Sequence, residues 1–168
     1  FSHLFVYTLY VDTYICFVNI EEAIKQPRFK SEYHKLIVNV MYTSSWIDVR
    51  HQQFMKGYGI TMQQFNILRI LRGQKGNPLS INSLIERMID KSSNASRLVD
   101  KLVDKEYVDR QVCPNDRRQA EVRITEKGMA LLAEIDGPIE SLDQLARTLT
   151  EEEAKQLNDL LDKLRTNQ

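Results

Sequence analysis

"PNDRRQAEVRIT" runs from Pro114 to Thr125. Its Pro-Asn-Asp start is a turn signal, and Glu121 to Thr125 then alternates apolar and polar residues as a strand does. Tyr107 to Val112, before the turn, reads as the antiparallel partner, so the stretch closes a hairpin. A turn needs no arginine pair, yet Arg117 and Arg118 stand side by side at this tip. Such a tip suits the sugar–phosphate backbone or a narrow minor groove, whose negative potential attracts inserted arginine. Asp116 would repel phosphate if bare, and its use there is to orient a neighbouring guanidinium through a charge-assisted hydrogen bond.

Working back from the hairpin, residues 93–105 predict a helix with Ala95, Leu98, Val99, Leu102 and Val103 on one buried face. Ser92 is the expected N-cap. A turn at "DKSS" (90–93) separates it from a shorter helix over 81–89 with Leu84, Ile85 and Met88 inward. Two short helices joined by a tight turn make a helix-turn-helix, and a hairpin directly after them is a wing. The second helix of such a unit presents its N-terminal residues to base edges in the major groove. Here the outward face offers Ser93, Asn94, Ser96, Arg97 and Lys101, with Ser92 at its start. Asparagine can pair with adenine, arginine with guanine, and serine with several bases or a phosphate.

Longer helices flank this unit. Residues 29–55 space Phe29, Tyr33, Leu36, Ile37, Val40, Met41, Ser44 and Ile47 by threes and fours, until "GYG" at 57–59 ends the pattern. Thr61 with Gln64 is a capping box that opens a helix burying Phe65, Ile67, Leu68 and Leu71, and "GQKGNP" (73–78) is a loop. Thr125 caps a long helix carrying Met129, Leu132, Ile135, Ile139, Leu142 and Leu145. Its apolar phase runs across Gly137-Pro138, which predicts a kink there and not a break. Thr150 and Glu153 cap a last helix whose stripe is Leu157, Leu160, Leu161 and Leu164.

The chain resembles the MarR family of bacterial transcriptional regulators. "DRRQAEVRITEKG" (116–128) looks like that family's wing signature, with Asp116, Arg118, Thr125 and Gly128 in the pattern positions. "ITMQQFNILRIL" (60–71) is similar to its second helix, and "SRLVDKLVDKEYVDR" (96–110) to its recognition helix and first wing strand. The resemblance covers about residues 29–166. It implies a mainly α fold with a small β-wing, a winged helix-turn-helix with N- and C-terminal dimerisation helices. The implied division is 19–60 for the N-terminal dimerisation region, 61–127 for the DNA-binding lobe and 128–168 for the C-terminal dimerisation helices.

It further implies a homodimer that reads a pseudo-palindromic double-stranded operator, with half-sites roughly 34–36 Å apart. The implied action is repression, released by a small aromatic or lipophilic effector. Tyr42, Trp46, His51 and Tyr58 are the candidates to line an effector pocket, although aromatics at helical spacing also serve as plain core. The chain departs from the family at Glu106, where a glycine often follows the recognition helix; glycine enters the left-handed region at little cost.

Composition bounds the alternatives. The 168 residues carry 23 Lys/Arg and 23 Asp/Glu, a neutral sum that is unevenly spread. Residues 61–127 hold 13 basic against 9 acidic side chains, while 128–168 hold 4 against 9. The expected DNA-facing region is thus mildly basic and the tail acidic. Cys16 and Cys113 form neither a disulfide framework nor a metal site by spacing, and read as free thiols of a reducing cytoplasm. A thiol-based redox sensor of the same fold, or a winged helix used only for protein contact, are the competing readings. No Gly-rich phosphate loop, metal-ligand cluster or nucleophile motif points to an enzyme, and no cofactor is expected. Residues 1–18, "FSHLFVYTLYVDTYICFV", are apolar but lack the basic start of a signal peptide. They are too short and polar for a membrane helix. They are expected to be an artefact of expression or upstream translation, or a segment packed on a second subunit, and no membrane partner is expected.

Overall fold

The computed structural model describes residues 18–91, 94–112 and 120–166. The chain divides into two compact units, with the boundary between Trp46 and Ile47.

In the first unit, Asn19 caps a single turn, α1 (Ile20–Ala23), its side-chain oxygen accepting from the Glu22 amide at 2.9 Å. Ile20 is buried, and Glu21 pairs with Lys35 at 2.6 Å. Helix α2 (Glu32–Lys56) begins in this unit and runs on into the next. Its expected apolar stripe is present but uncovered: Tyr33, Leu36, Ile37 and Met41 are all exposed.

The second unit holds the core. Thr61 caps α3 (Met62–Arg72) through the expected capping box: Thr61 Oγ1 accepts from the Gln64 amide, and Gln64 Oε1 accepts from the Thr61 amide. Because both partners are satisfied, Gln64 is buried at no unpaired cost. Phe65, Ile67, Leu68 and Leu71 enter the core as expected. After the loop, a two-residue strand β1 (Leu79–Ser80) leads into α4 (Ile81–Arg87), and α5 is Ala95–Asp104. The hairpin follows as β2 (Val108–Val112) and β3 (Ala120–Ile124). The sheet order is β1-β3-β2, antiparallel throughout, with Arg110 opposite Val122 and Leu79 opposite Val122 on the other side. Strand β1 was not expected from the sequence; it is too short for any periodicity.

Thr125 caps α6 (Glu126–Asp136), as expected, by accepting from the Gly128 amide. Its buried residues are Gly128, Leu131, Leu132 and Ile135, while Met129 faces solvent. The kink expected at Gly137-Pro138 is instead a break. Pro138 has no amide to offer the preceding turn. After one helical bond from the Ile139 amide to the Ile135 carbonyl, the ladder tightens to three-residue bonds at Glu140, Ser141 and Leu142. The chain resumes as a single turn, α7 (Glu140–Asp143), then a 3-10 turn (Gln144–Ala146). The Thr150–Glu153 capping box opens α8 (Glu151–Arg165), which buries none of its residues.

Candidate nucleic-acid interface

The helix-turn-helix is built from α4 and α5. Met88 leaves the helical conformation and is itself buried, which anchors the turn from below. The next amide, of Ile89, donates to Asn66 Oδ1 on α3 at 3.2 Å, which pins the turn from the side. The opening of α5 differs from expectation. The helix starts at Ala95, and its N-cap is Asn94, not Ser92. Asn94 Oδ1 accepts from the Arg97 amide at 3.1 Å. Ala95 is buried, so the first turn of α5 is seated on the core and the cap falls to the residue just before it.

Ala95, Val99 and Leu102 fill the inner face of α5, and the pattern places Arg97, Asp100, Lys101 and Asp104 outward, all exposed. Ser96 is half-buried at the side. Asn94, Ser96, Arg97 and Lys101 thus lie along the first two turns of one exposed helix. Ser92 and Ser93 lie outside the described residues, as do Cys113 and the wing tip with Asp116, Arg117 and Arg118.

The corner between α5 and the wing explains the Thr125–Gly128 pattern. Thr125 Oγ1 donates to the Glu106 carbonyl at 2.8 Å while accepting from the Gly128 amide. The Thr125 amide in turn donates to the Tyr107 carbonyl. A Cβ at Gly128 would fall 2.3 Å from that same Tyr107 carbonyl oxygen, so the position admits only glycine without movement. Glu106 stands at φ 62°, the left-handed region that a glycine would enter cheaply. Its side chain makes an ion pair with Lys127 Nζ at 2.7 Å, and Lys127 also lies 5.5 Å from the centre of the Tyr107 ring. The hydrogen bond from Lys127 holds the Glu106 carboxyl below its ordinary pKa and raises that of Lys127. The corner thus holds a non-glycine residue in the left-handed region with its carboxylate tied to Lys127.

One residue pair on this surface was not singled out from sequence. Arg110 on β2 bonds to Asp100 on α5 through Nη1 and Oδ1 at 2.5 Å. Strand alternation puts Arg110 on the same side of the hairpin as the buried Val108 and Val122, the side that faces α5. Asp109, Gln111, Glu121 and Arg123 take the other side, around a small cleft that includes Pro78.

Of the four aromatic and histidine candidates for an effector pocket, Tyr42 and Trp46 belong to the first unit and His51 and Tyr58 to the second. Tyr58 packs against Phe54 with ring centres 5.4 Å apart, on the edge of the core. A cavity of about 770 Å³ is lined by none of them. It is an open groove between the end of α2, the start of α3 and the outer half of α5, with Lys56, Ile60, Gln64, Leu98 and Lys101 in its walls. Among the described residues, no His, Cys, Asp and Glu side chains gather as a metal site, and no helix is long and apolar enough to cross a membrane.

Comparison with known proteins matches this lobe. The family model described as MarR family covers residues 60–120, from the start of α3 to the first residue of β3. The HTH-type transcriptional regulator MhqR of Bacillus subtilis is 31% identical over 112 residues, which is 66% of this chain and 75% of MhqR. The chain belongs to the MarR family. A second MarR-type relative, the transcriptional repressor MprA of Escherichia coli, is 27% identical over 154 residues, 88% of each chain. The crystal structure of a cysteine-to-serine mutant of MarR from E. coli, complexed with operator DNA, superposes with a TM-score of 0.71 at 26% identity. The match covers 80% of this chain and 96% of that one. This MarR-family chain is a transcriptional regulator on a DNA-binding winged-helix fold, and its relatives are regulators, not enzymes.

Proposed function

We propose that this regulator is a homodimeric repressor that reads a pseudo-palindromic operator. Helix α5 enters the major groove with Asn94, Ser96, Arg97 and Lys101, preceded by Ser92 and Ser93. Arg117 and Arg118 reach the adjoining minor groove, with Asp116 orienting one of them. Residues 19–60 and 128–168 supply the dimer contacts around a DNA-binding lobe of residues 61–127. A small aromatic or lipophilic effector, met by Tyr42, Trp46, His51 and Tyr58, releases the DNA, and the regulator works in the cytoplasm.

The observation that carries this reading is the two-sidedness of α5: Ala95, Val99 and Leu102 are buried on its inner face, while its outer face is a row of polar and charged side chains beside a hairpin, with Arg97 and Lys101 among them. The uncovered apolar residues of α2 and α8 support the dimer, because helices with such stripes bury them against a partner. The test is selection of random duplex DNA by the purified protein, with the enriched pool re-measured across a salt series. An enriched inverted repeat whose affinity falls steeply with salt is expected, since each phosphate neutralised releases counterions. Salt-insensitive binding with no enriched sequence defeats the proposal. Arg118→Ala is expected to weaken binding to most sequences alike, whereas Arg97→Ala also relaxes base preference.

A further inference from the structure

We infer that Arg110 is a further DNA-backbone contact and that Asp100 is the residue that positions it. The inference rests on the DNA-binding reading above.

Arg110 stands between the two elements that engage the duplex in a winged helix. It projects from β2 toward α5, and among the described residues it is the one arginine on that side of the hairpin. Arg123 lies on the opposite side of the strands. The Asp100 carboxylate takes a single N–H of the guanidinium. A guanidinium has five, and among the described residues the other four have no acceptor. The Arg110 side chain is 37% exposed and that of Asp100 57%, so the pair is at the surface and accessible to a ligand.

A surface ion pair of this kind adds little stability by itself. Its effect is order. Asp100 fixes a long, rotamer-rich side chain before DNA arrives, and a contact made by a side chain already held costs less on binding. The ligand that matches a fixed, planar fork of donors beside a major-groove helix is a backbone phosphate. Asp100 lies on the outward face of α5, one turn beyond Ser96 and Arg97. A bare carboxylate there would repel the duplex; paired, it presents a cation one helical turn along from the base-reading residues.

The experiment measures operator affinity across a salt series for full-length wild type, Arg110→Gln, Asp100→Ala and the charge-swapped double variant Asp100→Arg/Arg110→Asp, each with its Tm. Arg110→Gln is expected to lose about tenfold in affinity per subunit near 0.1 M salt, with a salt slope shallower by about 1 per subunit. Asp100→Ala is expected to bind more weakly than wild type even though it gains positive charge, and with no steeper slope. The double variant remakes the ion pair with Tm close to wild type, but affinity stays low because the strand position is now acidic. A rise in affinity with a steeper slope in Asp100→Ala means that Asp100 masks Arg110, and overturns the proposal. So does a wild-type slope in Arg110→Gln, or full recovery of affinity in the double variant. Steep salt dependence of the wild type alongside any of these leaves the DNA-binding reading standing and removes only the role of this pair.

Discussion

Helices α5 and α8 are written in the same apolar code and end in opposite environments. Ala95, Val99 and Leu102 of α5 are buried by α3, α4 and the sheet, whereas Leu160 of α8 is 62% exposed and its neighbours Leu157 and Leu164 are little better covered. Period-3.6 spacing fixes which side of a helix is apolar, and says nothing of whether its own chain covers that side. The contrast divides the molecule into a lobe whose apolar stripes are buried and helices whose stripes are exposed.

The sharpest way to break this contrast is to truncate one leucine on each side of it. Leu132→Ala, at a fully buried position of α6, is expected to cost roughly 2–5 kcal/mol in unfolding free energy at every protein concentration. Leu160→Ala is expected to leave the lobe's own unfolding unchanged and to act only through the concentration dependence of Tm. Equal losses at all concentrations would mean that α8 is covered within its own chain.

A second comparison sets two glycines of the same region against each other. Gly128→Ala drives a methyl into the Tyr107 carbonyl and to within 2.8 Å of Ile124, and is expected to destabilise by roughly 1–3 kcal/mol in chemical denaturation. Beyond its chain neighbours, an added Cβ at Gly137 meets no atom within 4 Å, and its φ is a helical −72°. Gly137→Ala is expected to change stability by less than about 1 kcal/mol, the lost freedom of the unfolded chain being offset by crowding against the ring of Pro138 alone. If both behave alike, the corner is looser than its geometry states.

The smallest effect lies at the joint between α3 and α6, where Arg72 grips Asp136 with two hydrogen bonds, of 2.6 and 3.0 Å. The guanidinium holds the Asp136 carboxyl below the ordinary aspartate value. A carboxyl more acidic in the folded state stabilises the fold above its unfolded pKa and loses that contribution as pH falls through its folded pKa. Tm of wild type and Asp136→Asn should therefore differ slightly near neutral pH and converge below the ordinary aspartate range. A gap that persists in acid would assign the effect to packing.

What was legible in the sequence follows from how local each signal is. The caps at Thr61, Thr125 and Thr150 lie within four residues of the amides they satisfy, and each stands where the pattern placed it. The start of α5 was placed at the wrong cap, because Ser92 is as good a capping residue as Asn94 and the choice falls to burial of Ala95, a tertiary event. The break at Pro138 was hidden by an apolar rhythm that continues through it. The Asp100–Arg110 pair depends on hairpin register, which brings a helix and a strand residue together and leaves no trace in spacing. The Thr125–Gly128 signature was recognisable as a pattern long before its reason, the approach of the Tyr107 carbonyl, was visible.

Asn94 carries a consequence for the alphabet this protein can read. An asparagine amide both accepts and donates, and in a duplex it can take adenine by its N6 and N7. Here one lone pair of the Asn94 oxygen already holds the Arg97 amide. On the proposed DNA-binding reading, an adenine would have to share that oxygen with the first bond of α5, whereas the N7 or O6 of guanine or the O4 of thymine would ask only for the NH₂ group.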